Sequence, residues 1–360
     1  MTRKAKIIAT LGNSTEELLE YIIENGADAI LIDNYYGCAE ECDFRINKIK
    51  ELREKLNKNT AIIYDLDHIY AESKYKLIKI EENNVHFACQ NDVDFVACPF
   101  VSNLDEIRKV KSILQANGKK DIRLIVKIDC KEAYENIDEI IQFADSIMIN
   151  RDELGMELPY QDLPGIQKEI IRKANTAIKE VILTTQMLHS MIYNPRPTRA
   201  EVSDVANAIY DGTDAIMLSG ESAAGAYPIE SVRTMATIAK RTEEMQDYSR
   251  ILKDRSKKIV SKDITNAIGV SVGYTALNLD LHTIVTYTES GQTARLISKY
   301  RPNAAILAVT PSEKVARGLS LVWGVDAQIS EQVKSTDEML DTAKNIAETS
   351  GYAKKGDAIV

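Results

Sequence analysis

Charged residues follow two short apolar runs near the middle of this sequence. Lys127 and Asp129 stand two positions apart at the end of the first run, so on a strand both side chains face the same side. Glu153 follows the second run. Two carboxylates on neighbouring strands would form a partial oxygen site that suits Mg²⁺ or Mn²⁺, with water and substrate in the remaining positions. Lys127 could stabilise an enolate or phosphoryl charge beside it, or form an ion pair that only closes the end of the sheet.

Other polar residues end further runs of the same kind. Because parallel strands end at a common edge, or at one mouth if they close into a barrel, these residues are expected to converge. The candidates are Asp33, Asp65, Lys127, Asp129, Arg151, Asp152, Glu153, Thr184, Thr185, Gln186, Ser219 and Glu221.

Short β-branched runs alternate with amphipathic stretches, which indicates parallel strands joined by crossover helices. Eight such units predict a (β/α)8 barrel with its active site at the carboxyl ends of the strands, and a doubly wound sheet is the alternative. The predicted strands are Ala5–Thr10, Ala29–Asp33, Thr60–Asp65, Asp94–Pro99, Ile122–Ile128, Ser146–Asn150, Val181–Thr185 and Ala215–Leu218. The predicted helices are Thr15–Asn25 with Ser14 as N-cap, Asp43–Leu56, Asp105–Asn117, Asn136–Phe143, Leu163–Asn175 and Ala200–Tyr210.

The pattern changes between residues 242 and 262, where the sequence becomes strongly charged and loses its strand period. We place a domain boundary there, with a barrel over residues 1–245 and a small α/β domain over residues 246–360. The second domain is predicted to contain a helix over Asp263–Leu277 and strands over Thr283–Tyr287, Ala305–Thr310 and Val325–Ile329. The turn Thr288–Thr293 could hold a phosphate on its hydroxyl and backbone N–H groups, or only cap the helix that follows.

Composition excludes several classes of protein. The 360 residues include 45 Lys and Arg against 54 Asp and Glu, a formal net charge of −9, whereas nucleic-acid binding needs a clustered basic face. No apolar run reaches the roughly 20 residues that cross a bilayer, and the first residues lack a signal-peptide core. We therefore expect a cytoplasmic protein without nucleic-acid or membrane partners. The five cysteines are odd in number, so ordinary thiols are expected; a metal site at Cys38 and Cys42 would lack further ligands nearby.

Two long stretches resemble the pyruvate kinase family. Thr184-Thr-Gln-Met-Leu188 and Asn194-Pro-Arg-Pro-Thr-Arg-Ala-Glu201 are similar to the family's ATQML and NPRPTRAE motifs. Asp204-Val-Ala-Asn-Ala208 and Asp211-Gly-Thr-Asp-Ala-Ile-Met-Leu-Ser-Gly-Glu221 are similar to DVANA and DGTDA(V/I)MLSGE. Further similarity lies at Lys4–Gly12, Asp94–Val101, Val126–Asp129 and Thr288–Pro302, so the resemblance covers nearly the whole chain.

The resemblance implies a (β/α)8 barrel with a C-terminal α/β domain, a homo-oligomer, and phosphoryl transfer between phosphoenolpyruvate and ADP. Lys127 matches the lysine that faces the transferring phosphoryl group and the enolate, and Thr185 matches the threonine near the carbon that is protonated. Asp129 and Glu153 fall at the two positions that bind Mg²⁺ or Mn²⁺, where the family has Glu first and Asp second. The predicted substrate-binding residues are Arg151, Asp152, Thr185 and Gln186.

Departures from the family pattern remove positive charge. The phosphate-binding arginine after the second strand is Leu31, and two residues of the family's monovalent-cation site are Asp33 and Tyr35. Asp65 is the one clear survivor of that site, so we do not expect K⁺ to bind. A second phosphate-facing arginine is Glu72.

The remaining departures concern the lid and a neighbouring loop. The glycine before the second metal-binding residue is Asp152, which adds negative charge. The family's inserted lid domain is missing, because only Leu66–Asp92 lies between the third and fourth strands. Since each lost charged clamp typically costs a factor of about 10² to 10³, efficient ATP formation is not expected.

Three hypotheses about function follow. The first is a diverged enzyme that performs metal-dependent enolate chemistry on pyruvate or a related 2-oxo acid or enolpyruvate. The second is a noncatalytic relative that binds metabolites or regulates a partner. The third is a working pyruvate kinase, slow or completed by a partner protein.

Two loops carry further expectations from the resemblance. Thr288, Ser290 and Thr293 match a pocket that binds allosteric sugar phosphates in some family members, so we expect them to hold an anion. A complete effector site is not expected, because the family continues beyond the position of Val360. Arg196, Arg199 and Glu201 match a subunit contact, which predicts a dimer or tetramer; the alternative is a rigid surface turn set by Pro195 and Pro197.

Overall fold

A computed structural model describes residues 3–33, 38–66, 82–99, 104–257 and 264–360. Its contacts divide the chain into two units. One is Ile7–Ala239, and the other combines Met1–Lys6 with Lys240–Val360. The sequence pattern placed a boundary between residues 245 and 246, and no pattern in the sequence indicates that the N-terminal residues join the second unit.

The first unit is a closed barrel of eight parallel strands whose order follows the chain, which confirms the predicted (β/α)8 fold. Apart from Arg123 and Asn150, which are partly exposed, every residue of these strands is buried, as expected where helices cover the outer face and side chains fill the interior. The strands are β1 (Lys6–Leu11), β2 (Ala29–Ile32), β3 (Ala61–Asp65), β4 (Phe95–Cys98), β5 (Arg123–Ile128), β6 (Ser146–Asn150), β7 (Glu180–Thr184) and β8 (Ala215–Leu218).

Helices follow the strands, and several carry a buried apolar stripe. In α8, for example, Ile166, Ile170 and Ile171 are buried while the lysines lie toward solvent. The helices of this unit are α1 (Leu19–Glu24), α2 (Ala39–Leu56), α3 (Glu82–Gln90), α4 (Leu104–Ala116), α5 (Lys131–Glu135), α6 (Ile137–Phe143), α7 (Arg151–Glu157), α8 (Leu163–Thr176), α9 (Arg199–Asp211), α10 (Gly220–Ala223) and α11 (Pro228–Glu244), the last of which extends past Ala239.

The first connection differs from the prediction of one helix capped by Ser14. A 3-10 helix over Asn13–Leu18 precedes α1, and Gly12 is its N-cap. The Ser14 hydroxyl instead donates to the carbonyl of Ala223 at 3.1 Å. Gly12 approaches the same carbonyl so closely that a Cβ would lie 2.1 Å from its oxygen. The turn after β1 is therefore shaped by contact with the turn after β8, which local sequence does not report.

The second unit contains a three-stranded parallel sheet in the order β11-β10-β9. The strands β9 (Thr283–Tyr287), β10 (Ala305–Thr310) and β11 (Val325–Ile329) have their predicted bounds. One core on the sheet includes Ile284, Ile297 and Ile306. The helices are α12 (Tyr248–Ser256), α13 (Ile264–Asn278), α14 (Gln292–Lys299), α15 (Glu313–Gly318) and α16 (Thr336–Thr349).

None of the five cysteines, which all lie in the described ranges, forms a disulfide bond. Cys38 is exposed and the other four are buried. Among the helices of the described ranges, none has both the length and the apolar composition of a membrane span.

Candidate active site

A buried ion pair lies at the carboxyl ends of β3 and β5. Lys127 Nζ is 2.6 Å from Asp65 Oδ2, and the two side chains are 6% and 5% exposed. Lys127 therefore forms the lysine–carboxylate ion pair that was predicted as the alternative to a catalytic role. Breaking such a pair by removing one partner leaves an uncompensated buried charge, so each group requires the other to stay charged at this position.

The register of the barrel strands places Asp129 next to Asn150, three residues before Glu153. Lys127 pairs with Met148 and Ile128 with Ile149 across β5 and β6. The next position in this register sets Asp129 opposite Asn150. Paired residues of parallel strands project from the same face, and alternation places Lys127 and Asp129 on one face. Asp129 is 3% exposed. Glu153 lies one helical turn on, in the first turn of α7.

The donor set at β5 and β6 fits a hard divalent cation. In the part of the chain that the structure describes, no three or more His, Cys, Asp or Glu side chains are arranged to hold a metal. Asn150 Oδ1 is buried and has no hydrogen-bond partner among the described residues, which leaves an oxygen acceptor beside the carboxylates. Mg²⁺ is usually held by one or two carboxylates, with water and substrate completing an oxygen shell. Asp129 and Glu153 would hold such an ion, and its binding stays a prediction.

The two residues at the positions of the family's monovalent-cation site, Asp33 and Asp65, lie at the ends of adjacent strands. Ile32 pairs with Tyr64 across β2 and β3, so Asp33 and Asp65 are the next residues in that register. The position of the family's arginine, Leu31, is 2% exposed in the barrel core. Tyr35 and Glu72 lie outside the described residues.

Backbone strain is concentrated just after β7. Thr185 and Gln186 have φ of +68° and +51°, a left-handed conformation that costs a residue with a side chain roughly 1–2 kcal/mol. The Thr185 hydroxyl donates to the carbonyl of Thr184 at 2.7 Å and accepts from the N–H of Asp152 at 3.2 Å. Leu188 N–H donates to Glu221 Oε1 at 3.0 Å. Gln186 itself is exposed.

Arg151 holds this strained turn from α7. Its Nη2 donates to the carbonyl of Thr185 at 2.5 Å and contacts Met187 Sδ at 3.1 Å. Its Nη1 lies 2.7 Å from Asp204 Oδ2 on α9. Three of the predicted substrate-binding residues, Arg151, Asp152 and Thr185, are therefore bonded to one another or to the same turn, and their contact with substrate stays a prediction.

Two residues of this region, Asn150 and Asp204, are absent from the sequence-based candidates. Asn150 ends a predicted strand, so the rule that selects polar strand-end residues would have included it. Asp204 sits within a helix, and only the fold brings it to Arg151.

The loop before α9 is stiffened by Glu201. Its carboxylate accepts hydrogen bonds from the N–H and hydroxyl of Ser190, both at 2.6 Å, and from the N–H and hydroxyl of Thr198 at 2.7 and 2.9 Å. Burial opposes ionisation, yet these hydrogen bonds lower the pKa of Glu201. Arg196 and Arg199 are exposed. A subunit contact through the arginines, and a homo-oligomer, stay predictions.

The turn Thr288–Thr293 makes capping hydrogen bonds. Gly291, at φ +79°, is the N-cap of α14, and its N–H donates to the Thr288 hydroxyl at 2.9 Å. Gln292 N–H reaches the Ser290 hydroxyl at 3.4 Å. Thr288 is buried, whereas Ser290 and Thr293 are exposed. Side-chain oxygens of this turn thus accept from backbone N–H groups at the start of α14, while the N-cap residue itself, Gly291, has no side-chain capping bond. Anion binding at this turn stays a prediction.

A closed (β/α)8 barrel with charged residues gathered at the carboxyl ends of its strands is the arrangement of a barrel enzyme. Comparison with known proteins gives the family. Residues 72–232 match the pyruvate kinase barrel domain, and residues 266–360 match the pyruvate kinase alpha/beta domain. The chain belongs to the pyruvate kinase family.

Relatives agree with this assignment. A pyruvate kinase of Bacillus licheniformis is 51% identical over 280 residues, covering 78% of this chain and 48% of the relative. One from Staphylococcus aureus (strain MRSA252) is 36% identical over an alignment of 452 positions, covering 99% of this chain and 77% of the relative. The crystal structure of a pyruvate kinase from Cryptosporidium parvum matches with a TM-score of 0.92 at 27% identity, covering 99% of this chain and 93% of that one.

The chain spans about half the length of the first of these relatives. It also lacks the family's inserted domain, because β3 ends at Asp65 and β4 begins at Phe95.

Proposed function

We propose that this member of the pyruvate kinase family catalyses metal-dependent enolisation of pyruvate or a related 2-oxo acid, and that ATP-forming phosphoryl transfer is impaired. The observation that carries the proposal is the buried Lys127–Asp65 ion pair beside Asp129 at the barrel mouth. A lysine kept charged in a buried site is suited to an oxygen that gains negative charge during reaction.

Each residue has a definite part in the proposed reaction. Breaking a methyl C–H bond of the 2-oxo acid forms the enolate C=C bond and places negative charge on the former carbonyl oxygen. Lys127 stabilises that charge, and Asp65 holds the lysine ammonium in place through the ion pair at 2.6 Å. The Thr185 hydroxyl, which is fixed by Thr184 and Asp152, accepts the methyl proton as it passes its own proton to a solvent water, so the hydroxyl is restored and the released proton exchanges with solvent. A divalent ion held by Asp129 and Glu153 would supply Lewis-acid polarisation of the carbonyl.

The surroundings of these residues support impaired phosphoryl transfer. Phosphoryl transfer depends on neutralising and positioning the transferred group. Leu31 is an apolar core residue where the family has a phosphate-binding arginine, and the short β3–β4 connection leaves no domain to exclude water. We also propose that K⁺ is not required, since Asp65 has an ammonium partner at 2.6 Å.

The relatives' names support a second candidate, a slow pyruvate kinase that converts phosphoenolpyruvate and ADP to pyruvate and ATP. A coupled assay for pyruvate formation separates the two. We expect turnover at least about a hundredfold below that of a full-length relative measured alongside, from the loss of one or more charged clamps. Turnover within tenfold of the relative would contradict the proposed impairment.

Exchange of pyruvate methyl protons in D₂O tests the enolisation itself. With Mg²⁺ present, ¹H NMR should show loss of the methyl signal, and Lys127→Met should slow it by about 10² or more, because the enolate loses its charge partner. Lys173→Met, which removes a lysine paired with Asp138 on the helical surface, is the matched control and should exchange at the wild-type rate. No exchange above buffer in the wild type would leave the noncatalytic hypothesis standing.

A further inference from the structure

We propose that Asn150 is a ligand of the divalent cation, supplying an amide oxygen between the carboxylates of Asp129 and Glu153. The inference concerns the metal site of the proposed function and rests on it. It adds a residue that neither the sequence motifs nor the resemblance assigns.

Register fixes the position of Asn150. It pairs with Thr184 across β6 and β7, and it follows Met148 by two residues on β6. Met148 pairs with Lys127, so alternation puts Asn150 on the same face of the sheet as Lys127 and Asp129. Adjacent parallel strands are about 4.8 Å apart, so the Asn150 side chain starts beside that of Asp129. Glu153 follows only three residues later, on α7.

The amide oxygen of Asn150 is buried and chemically suited to bind a cation. Asn150 Oδ1 is buried without a hydrogen-bond partner among the described residues. A buried polar atom left unpaired costs about 1–3 kcal/mol, and native structures rarely retain one without a ligand, an ion or an ordered water to meet it. Amide oxygens are hard donors that Mg²⁺ and Mn²⁺ accept.

The amide oxygen of Asn150, as a third ligand, would also compensate for the exchanged lengths of the two carboxylate side chains. The side chain on β5 is Asp129, shorter by a methylene than the glutamate that the family has there, so an ion held by it is drawn toward β5. Asn150 lies next to Asp129 in the register, on the side of β6. It can therefore occupy a coordination position that two carboxylates of exchanged length leave to solvent.

Binding of Mn²⁺, followed by the electron paramagnetic resonance signal of the unbound ion, tests the proposal without any assay of activity. Asn150→Ala should weaken Mn²⁺ binding at least about tenfold, because it removes a ligand. Asn150→Asp should tighten it, since added ligand charge strengthens binding of hard cations. Asp129→Ala serves as the positive control. Asn175→Ala, which removes an amide in the last turn of α8 that donates to the Gly212 carbonyl, is the matched negative control.

Three outcomes overturn or support the inference separately from the proposed function. If Asp129→Ala abolishes Mn²⁺ binding while Asn150→Ala and Asn150→Asp leave the dissociation constant within twofold of wild type, Asn150 is not a ligand, although the metal site stands. If the wild type does not bind Mn²⁺ at millimolar concentration, both the ligand assignment and the metal-dependent function fail. Weaker binding in Asn150→Ala with tighter binding in Asn150→Asp supports the assignment, and urea unfolding of each variant shows that the barrel is intact.

Discussion

At the scale of single residues, the site depends on how Arg151 is held. Its guanidinium joins the Thr185 carbonyl to Asp204 Oδ2, so two planar N–H groups connect the strained turn after β7 to α9. Lysine cannot reproduce that geometry, because its ammonium is a single point of charge. We infer that the Arg151–Asp204 pair positions Thr185 and does not itself contact the reacting atoms.

Asp204→Asn tests this positioning role. The proton-exchange rate should fall about tenfold, since small displacements of a reacting group are costly, while Mn²⁺ affinity stays at the wild-type value. The Thr185 backbone should also leave its left-handed conformation, which a change in its ¹³Cα and ¹³Cβ chemical shifts would report. Asp138→Asn, which removes the same charge from an ion pair with Lys173 on the surface, is the control. An unchanged Thr185 spectrum in Asp204→Asn would contradict the inference.

Residue type and strand-end position were enough to select Lys127, Asp129 and Glu153 as candidates. They were not enough to pair Lys127 with Asp65, because that contact joins β3 to β5 across the barrel mouth. The partners of Arg151 were out of reach for the same reason. Non-local pairing decides which of several polar strand-end residues is bonded to which, and a single sequence carries no record of it.

At the scale of elements, the strands were predictable because each barrel strand is buried on both faces and therefore appears as a continuous apolar run. Helix ends were less so. The Ser14 cap was wrong because the hydroxyl finds a partner on the turn after β8. Positive φ at Ile178 was equally invisible, since nothing about isoleucine favours it.

Two helices end in the same way with different residues, which allows a matched test. After α8, Ile178 has φ +60°, and Lys179 N–H donates to Ala174 O at 3.0 Å. After α9, Gly212 has φ +98°, and Thr213 N–H donates to Ala208 O at 3.2 Å. Glycine adopts this conformation without the Cβ clash that isoleucine suffers.

Ile178→Gly should raise the free energy of unfolding by about 0.5–1 kcal/mol, the relief of left-handed strain outweighing the loss of a half-buried side chain and the greater freedom of glycine in the unfolded chain. Gly212→Ala should lower it by about 1 kcal/mol, because it introduces the same strain. Urea unfolding followed by circular dichroism measures both. Destabilisation by Ile178→Gly would mean that burial of the isoleucine side chain is the larger effect.

At the scale of the whole molecule, the N-terminal segment belongs to the second unit and contacts residues far along the chain. Lys4 is 4% exposed, and its Nζ donates to the carbonyls of Pro302 and Asn303 at 3.1 and 2.5 Å. The ammonium lies 4.1 Å from the ring centroid of Tyr248 and 5.1 Å from that of Trp323. The backbone N–H groups of Lys4 and Ala5 donate to the carboxylate of Glu243 at 2.8 and 2.5 Å. These contacts bind an N-terminal segment that the sequence assigned to the barrel.

The charge state of Lys4 couples this junction to pH. Burial lowers the pKa of Lys4 to about 7, against the opposing attraction of Glu243 and with a smaller contribution from the repulsion of Arg301. In the unfolded chain the lysine keeps its ordinary pKa of 10.5. Between these two values the folded Lys4 binds fewer protons than the unfolded one, so its contribution to stability is lowest below pH 7 and rises as pH increases toward 10.5.

Urea unfolding between pH 7 and 8.5 should therefore show wild-type stability rising relative to Lys4→Met, by at most about 1.4 kcal/mol per pH unit, the limit for one proton. The window stops at 8.5 because burial raises the pKa of Cys42 and Cys130 to about 11, which makes stability fall at higher pH. Trp323 is the single tryptophan of the chain and is buried in this cluster, so its fluorescence reports unfolding of the second unit. The substitution leaves Glu243, Arg301 and Tyr248 in place, which assigns the difference to the lysine. A pH-independent difference would show that the carbonyls and aromatic rings keep Lys4 protonated when folded.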